Sequence, residues 1–75
     1  MELRQLEYFC KIADTGSVSE AARRLNMAQP PLSYQIRRLE EELNVKLLSR
    51  SSRGVELTEA GRLLYRRAGS LLEYA

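Results

Sequence analysis

The chain has 75 residues, which is enough for one small domain but leaves no room for a large enclosed substrate chamber. It contains no histidine and only one cysteine, Cys10, so it lacks the usual general base and can form neither an intrachain disulfide nor a cysteine metal cluster. We therefore expect no metal site and no enzymatic activity, and the net charge of +2 is too small to indicate a partner by itself.

The chain also lacks the signals that would direct it to a membrane. No apolar stretch approaches the ~18 residues that a membrane span requires. Met1 is followed by Glu2, which does not resemble a signal peptide. The sequence predicts a cytoplasmic protein with no membrane partner.

Positive charge is unevenly distributed along the chain. Acidic side chains outnumber basic ones in residues 1–22, whereas residues 23–38 contain Arg23, Arg24, Arg37 and Arg38 and no acid. Lys46, Arg50 and Arg53 follow. Such segregation is typical of a surface that binds nucleic acid.

Two amphipathic helices are predicted in the first third of the chain. The first has an apolar stripe and ends at Gly16; its members are Leu3, Leu6, Phe9, Cys10 and Ala13. Cys10 lies in this stripe, which favours a buried structural thiol. The second helix begins at Ser17, which forms a capping box with Glu20, and it ends near Asn26; its inner face comprises Val18, Ala21, Ala22 and Leu25.

A third helix is predicted to begin at Pro30 and Pro31. Proline is tolerated in the first turn of a helix, where amides have no intrahelical partner. The inner stripe of this helix is Leu32, Ile36, Leu39 and Leu43, and Asn44 is a plausible left-handed end. Only residues 26–29 separate it from the second helix, and this spacing predicts a helix-turn-helix whose second helix enters the major groove of DNA.

A hairpin and a fourth helix complete the predicted elements. Leu47 to Arg50 is expected to pair with Val55 to Leu57 around a loop of residues 51–54, in which Gly54 supplies a positive φ. Thr58 is expected to cap the last helix, whose stripe comprises Ala60, Leu64, Ala68, Leu71 and Ala75, widened by Leu63 and Leu72. No stop signal follows this helix, so we expect the 75 residues to be the first part of a longer protein.

The candidate DNA-binding residues lie on the exposed face of the third helix and on the hairpin. Gln29 can pair with adenine, Arg37 with guanine or phosphate, and the prolines offer apolar surface to a thymine methyl group. Arg53 suits a narrow minor groove, whereas Arg50 is equally suited to an ion pair within the domain. The full set is Gln29, Pro30, Pro31, Ser33, Tyr34, Arg37, Arg38, Arg50 and Arg53.

The last helix has an apolar arc broad enough to contact a second copy of the chain. A dimer would let two recognition helices reach successive major grooves. The predicted dimer residues are Leu64, Ala68, Leu71 and Leu72. Tyr8 and Ile12 either join this contact or complete the core of one copy.

The stretches "AARRLNMAQPPLSYQIRRLEEELNVKLLSR" and "RGVELTEAG" closely resemble the N-terminal domain of LysR-type transcriptional regulators. The resemblance implies a mainly α fold: a three-helix winged helix-turn-helix over residues 1–58, a two-stranded wing, and a C-terminal linker or dimerisation helix over residues 59–75. It further implies a homodimer that can assemble into a tetramer, and binding to an interrupted promoter palindrome with a T…A motif. This domain would hold no cofactor, and a small-molecule inducer would bind a C-terminal domain absent from the chain.

The resemblance supports Gln29, Pro30, Ser33 and Arg53 as DNA contacts, but two positions depart from the family pattern. Tyr34 stands where many members have arginine or glutamine, and Asn44 replaces a frequent glycine. Tyr34 is therefore expected to change the sequence preference. The competing hypothesis is a helical protein-interaction module in which Leu64, Leu71 and Leu72 make the contacts and the basic helix only confers solubility.

Overall fold

The computed structural model describes the backbone of residues 1–74 and the side chains of residues 1–72, so Ala75 of the predicted stripe lies outside the described residues. Four helices and one antiparallel hairpin follow each other along the chain. They are α1 (Leu3–Thr15), α2 (Val18–Arg24), α3 (Gln29–Leu43), β1 (Leu48–Ser51), β2 (Gly54–Leu57) and α4 (Glu59–Tyr74). The predicted mainly α fold with a two-stranded wing is confirmed.

One apolar core lies between α1, α2, α3 and α4. Its largest fully buried side chains are Phe9, Ile12, Leu32, Leu39 and Leu47. Ile12 therefore completes the core of a single copy, whereas Tyr8 is half-buried against it. Ala21 and Ala22 are buried where α2 meets its neighbours, as the close packing of two small residues predicts.

The ends of the helices follow the local signals in most places. Gly16, Asn26 and Asn44 all have the positive φ expected after a helix, and Thr58 Oγ1 accepts a hydrogen bond from the Gly61 amide at 3.0 Å. Leu43, however, is exposed, because it lies in the last turn of α3 beyond the core.

The capping box predicted at Ser17 is only half formed. Ser17 Oγ accepts from the Glu20 amide at 3.1 Å, but the Ser17 amide donates to Thr15 Oγ1 at 3.3 Å. The Glu20 carboxylate instead pairs with Arg23 and Arg24 one turn ahead on α2. These ion pairs hold the pKa of Glu20 below its usual value, chiefly through the hydrogen bond from Arg23.

In the hairpin Arg50 pairs with Val55, as the predicted loop of residues 51–54 implies, but the ladder extends one pair further toward the turn and excludes Leu47. Leu48 pairs with Leu57 and Ser51 pairs with Gly54, so a two-residue turn, Ser52 and Arg53, connects the strands. Leu47 does not join the ladder, because its amide and its carbonyl bond to α3 and to the residue before α4. Gly54 has the predicted positive φ, and a Cβ there would lie 2.6 Å from the Gly16 carbonyl oxygen at the end of α1.

The fourth helix contributes to the core as well as extending the chain. Ala68 is completely buried, and Tyr65 Oη donates a hydrogen bond to Asp14 on α1. The division predicted at residue 58 thus separates elements that pack together. Within the described residues, none of the helices combines the length and apolar character that crossing a bilayer requires.

Candidate nucleic-acid interface

The N-terminal end of α3 is exposed, and few of its backbone N–H groups need a hydrogen-bond partner from outside the helix. Gln29, Pro30 and Pro31 occupy its first turn and are all exposed. The four first amides of a helix have no intrahelical partner, and proline has no N–H, so the two prolines remove two of these donors. The first turn can therefore approach another molecule closely without leaving those amides unpaired.

Ser33, Arg37 and Arg50 line one groove between α3 and the wing, with a volume of about 290 Å³. Ser33 is half-buried, whereas both arginines are exposed. Lys46 also lines this groove. The helix and the hairpin thus present their positive charges to a shared depression.

A second groove, of about 320 Å³, continues this surface past the start of α2. Gln29 and Arg50 line it together with polar side chains from α2 and the wing, namely Ser17, Ser19, Ser51 and Ser52. Arg50 therefore borders both grooves. It takes part in none of the ion pairs among the described residues, so the intradomain pairing that the sequence left open is not observed.

Tyr34 and Arg38 form a pair on the exposed face of α3, one turn apart. The Arg38 guanidinium lies 5.8 Å from the centre of the Tyr34 ring and donates to Tyr34 Oη at 3.2 Å. The hydrogen bond to Tyr34 raises the pKa of Arg38. Arg38 is thus directed along the helix surface toward Tyr34, which itself remains 49% exposed.

Arg53 lies at the exposed tip of the wing. Its amide donates to Ser51 Oγ at 3.3 Å, which closes the two-residue turn, and its side chain is exposed. Arg23 and Arg24, by contrast, are paired with Glu20. Among the described residues, Arg37 and Arg38 are thus the arginines of the block 23–38 that form no ion pair.

Glu40 is a residue of this region that sequence reasoning missed. Its side chain is only 11% exposed, although the next two residues, Glu41 and Glu42, are both exposed. It accepts hydrogen bonds from the amides of Leu47 and Leu48, which lie immediately before and within β1. No short-range pattern indicates this contact, because it joins residues seven and eight positions apart on different elements.

The predicted dimer residues differ in their exposure. Leu71 is 57% exposed, Leu64 and Leu72 are half-buried against the core, and Ala68 is fully buried. Ala68 has no free surface for a second copy, so its place in the dimer set is corrected. Leu63, predicted only to widen the stripe, is 47% exposed beside Leu43 and Val45.

Two helices joined by a tight turn, an antiparallel wing and a basic surface across α3 define the class of winged helix-turn-helix domains. The profile described as bacterial regulatory helix-turn-helix protein, lysR family, matches residues 3–62. The chain belongs to the LysR family.

Curated relatives and solved structures agree with this assignment. The chain is 59% identical over 63 residues to the HTH-type transcriptional regulator AlsR of Bacillus subtilis, covering 84% of this chain and 21% of AlsR. It is 51% identical over 72 residues to the nitrogen assimilation regulatory protein nac of Klebsiella aerogenes, covering 96% of this chain and 24% of nac. The chain thus spans about a quarter of the length of the curated relatives it matches.

The crystal structure of BenM_DBD in its catB site 1 DNA complex superposes on the chain with a TM-score of 0.95. The two sequences are 49% identical, and the match covers 99% of this chain and 83% of that one. The fold described above is therefore that of a LysR-family DNA-binding domain.

Proposed function

We propose that the chain binds double-stranded DNA in a sequence-specific manner as the N-terminal domain of a bacterial LysR-type transcriptional regulator. In this proposal α3 enters the major groove and the wing, residues 50–54, meets the adjacent minor groove. The observation that carries it is the continuous surface on which Gln29, Ser33 and Arg37 lie beside Arg50. A helix and a hairpin that share one basic surface match the two grooves of a duplex.

The first turns of α3 carry the base contacts in this proposal. Gln29 and Arg37 have the donors and acceptors for bidentate pairing with adenine and guanine, and Ser33 is small enough to let the backbone come close. Pro30 and Pro31 contribute apolar contacts to thymine methyl groups. Tyr34 and Arg38 act together, because the Arg38 guanidinium donates to Tyr34 Oη and lies beside its ring.

The wing supplies contacts that depend on the shape of the DNA. Arg53 enters the minor groove, whose negative potential is greatest where A·T tracts make it narrow. Arg50 lies in β1, where it borders both grooves, and neutralises a phosphate. These two residues increase affinity more than they select individual bases.

A homodimer formed through α4 completes the binding unit. Leu71, together with Leu63, supplies exposed apolar surface, and Leu64 and Leu72 lie at its edge. The proposal includes three further features that rest on family membership, because the chain spans only about a quarter of the length of its relatives. They are assembly into tetramers, an inducer bound outside this chain, and a cytoplasmic location.

A salt titration tests whether the chain binds DNA at all. Duplexes enriched by the chain from a randomised pool provide the probe, and the logarithm of affinity should fall with the logarithm of salt by roughly 0.9 per neutralised phosphate. Failure to enrich any sequence, or negligible binding at low salt, would contradict the proposal and leave the protein-interaction module as the better account.

Substitution of two arginines tests how the sequence is recognised. Arg37→Ala should relax the choice at one base position by ~1 to 3 kcal/mol, whereas Arg53→Ala should weaken binding mainly at A·T-rich sites. Arg66→Ala is the control, since it removes the same charge from α4 in a groove beside Asp14. Equal losses on selected and random duplexes for both variants would show that neither residue contributes to sequence choice.

A further inference from the structure

The segment that leads into the wing is attached to α3 by one carboxylate. Glu40 Oε2 accepts from the Leu47 amide at 2.8 Å and from the Leu48 amide at 3.3 Å. Glu40 Oε1 lies 4.0 Å from Lys46 Nζ. One side chain of α3 thus contacts three consecutive residues at the beginning of the hairpin.

Because the Glu40 side chain is only 11% exposed, its carboxylate must obtain most of its hydrogen bonds from the protein. The two amides meet this need, and the same bonds satisfy the amides themselves. Removing the carboxylate would leave two backbone donors without their partner. The contact is therefore unfavourable to break.

The other side of this segment is attached to the start of α4. The Lys46 carbonyl accepts from Thr58 Oγ1 at 2.7 Å, and the Leu47 carbonyl accepts from the Thr58 amide at 3.0 Å. The far end of the hairpin is attached to α1, where the Val55 amide donates to the Gly16 carbonyl at 3.1 Å. The hairpin can thus stay folded on α1 and α4 without Glu40, but it would lose its polar link to α3.

We infer that Glu40 is a positioning residue for DNA binding: its bonds to the Leu47 and Leu48 amides hold the wing at a fixed place relative to the base-reading face of α3. Arg37 lies on the same helix three residues before Glu40, and Arg50 follows Leu48 by two residues in β1. The Glu40 hydrogen bonds therefore link the helix that carries Arg37 to the strand that carries Arg50, and both arginines border the same groove. If these hydrogen bonds fix the wing, its arginines can reach the DNA while α3 occupies the major groove. Little conformational entropy of the wing is then lost on binding. This inference rests on the proposed DNA binding.

A double-mutant cycle between Glu40 and Arg53 separates positioning from stability. With selected duplex DNA at fixed salt, Arg53→Ala should weaken binding about five- to tenfold in the otherwise unchanged chain. In the Glu40→Ala background the same substitution should weaken binding by less than about twofold, because the wing is no longer held where Arg53 can contribute. Glu40→Gln retains a carbonyl oxygen that can accept both amides, so it should restore most of the Arg53 effect.

Glu41→Ala is the matched control. It removes one negative charge at the next position of α3, where the residue is exposed. Loss of either charge should reduce repulsion from DNA by a similar amount. In the Glu41→Ala background, however, Arg53→Ala should weaken binding as much as it does in the unchanged chain.

The outcomes distinguish this inference from the proposed function. An Arg53→Ala effect that is equally large in the unchanged and Glu40→Ala backgrounds would overturn the positioning role and leave DNA binding by the wing intact. If Arg53→Ala had no effect in the unchanged chain, this result would disprove both the contact of the wing with DNA and the positioning role of Glu40. If circular dichroism shows that Glu40→Ala does not fold, Glu40→Asp replaces it in the cycle, because a carboxylate shortened by one methylene cannot reach both amides.

Discussion

The absence of a side chain at Gly61 allows α4 to begin against the segment that leads into the wing. A Cβ at this position would lie 2.2 Å from the Leu47 carbonyl oxygen, which is backbone and already accepts from the Thr58 amide. Neither partner can move away without breaking the attachment of the wing to α4. Gly69, eight residues further along the same helix, has open space where its Cβ would be.

Replacing these two glycines by alanine should have opposite effects on stability. Gly61→Ala should lower the free energy of unfolding by about 2 to 3 kcal/mol, because the methyl group overlaps backbone. Gly69→Ala should raise it by about 0.5 to 1 kcal/mol, because alanine restricts the unfolded chain and favours the helix. Urea denaturation measures both, and equal stability of the two variants would refute the steric account of Gly61.

At the scale of elements, the apolar core is supplemented by polar links between helices. Gln5 Nε2 on α1 donates to Gln35 Oε1 on α3 at 3.1 Å, and Tyr65 on α4 donates to Asp14 on α1. The Gln5 link holds the middle of α3 against the core while its first turn stays exposed. The Tyr65 link holds α4 beside α1, where the hydrogen bond to Asp14 raises the pKa of the Tyr65 phenol.

The raised pKa of Tyr65 predicts a pH dependence of stability. A group whose pKa is higher in the folded state stabilises it fully below its unfolded pKa, about 10 for tyrosine, and loses that contribution as pH rises through the folded pKa. Tyr65→Phe should therefore cost less than about 1 kcal/mol at neutral pH, given the exposure of the pair. The stability difference between the two proteins should decrease as the pH rises above about 10 and through the folded pKa, as urea denaturation across pH can measure. A difference that persists at alkaline pH would argue against the hydrogen bond as its source.

At the scale of the whole molecule, one copy is too small to read two turns of a duplex. The described residues extend at most 29 Å, whereas successive major grooves on one face of DNA lie ~34 Å apart. In the proposed dimer, the second recognition helix comes from a second copy. The exposed leucines of α4 are suited to that contact, because they lie outside the two grooves that border α3 and the wing.

Placing a charge at Leu71 should separate the proposed dimer without disturbing the core, since this side chain is 57% exposed. Leu71→Asp should shift the chain to monomer in sedimentation experiments. It should weaken binding to a selected two-half-site duplex by at least about tenfold, because the second copy no longer binds as part of one unit. Binding to a duplex with one half-site scrambled should change little.

Ser70→Asp provides the control for the added charge, because Ser70 is the exposed neighbour of Leu71 on α4. This variant should remain a dimer. A Leu71→Asp protein that sediments as a dimer would rule out Leu71 as part of the contact between copies.

The sequence by itself determined the elements and the chemistry of their exposed ends. Pro30 and Pro31 lie in the first turn of α3, Asn44 ends it with a positive φ, and Thr58 caps α4, because each of these features depends on atoms only a few residues away. The same short range made Gln29, Arg37 and Arg53 recognisable as exposed polar residues, and all three are exposed. Two local predictions were not met. Leu43 is exposed because it lies beyond the core, and the capping box at Ser17 is only half formed because Glu20 pairs with arginine instead.

Only the tertiary structure decided which side chains meet across elements. The burial of Ala68, the need for glycine at residue 61, and the bonds of Glu40 to β1 all depend on where separate elements pack, and helical periodicity carries no information about that placement. The exclusion of Leu47 from the hairpin has the same origin, because Leu47 bonds to α3 and Thr58 rather than to the opposite strand. The sequence therefore determined where most elements begin and end, and the packing of distant elements decided which side chains are buried and which of the exposed ones form one surface.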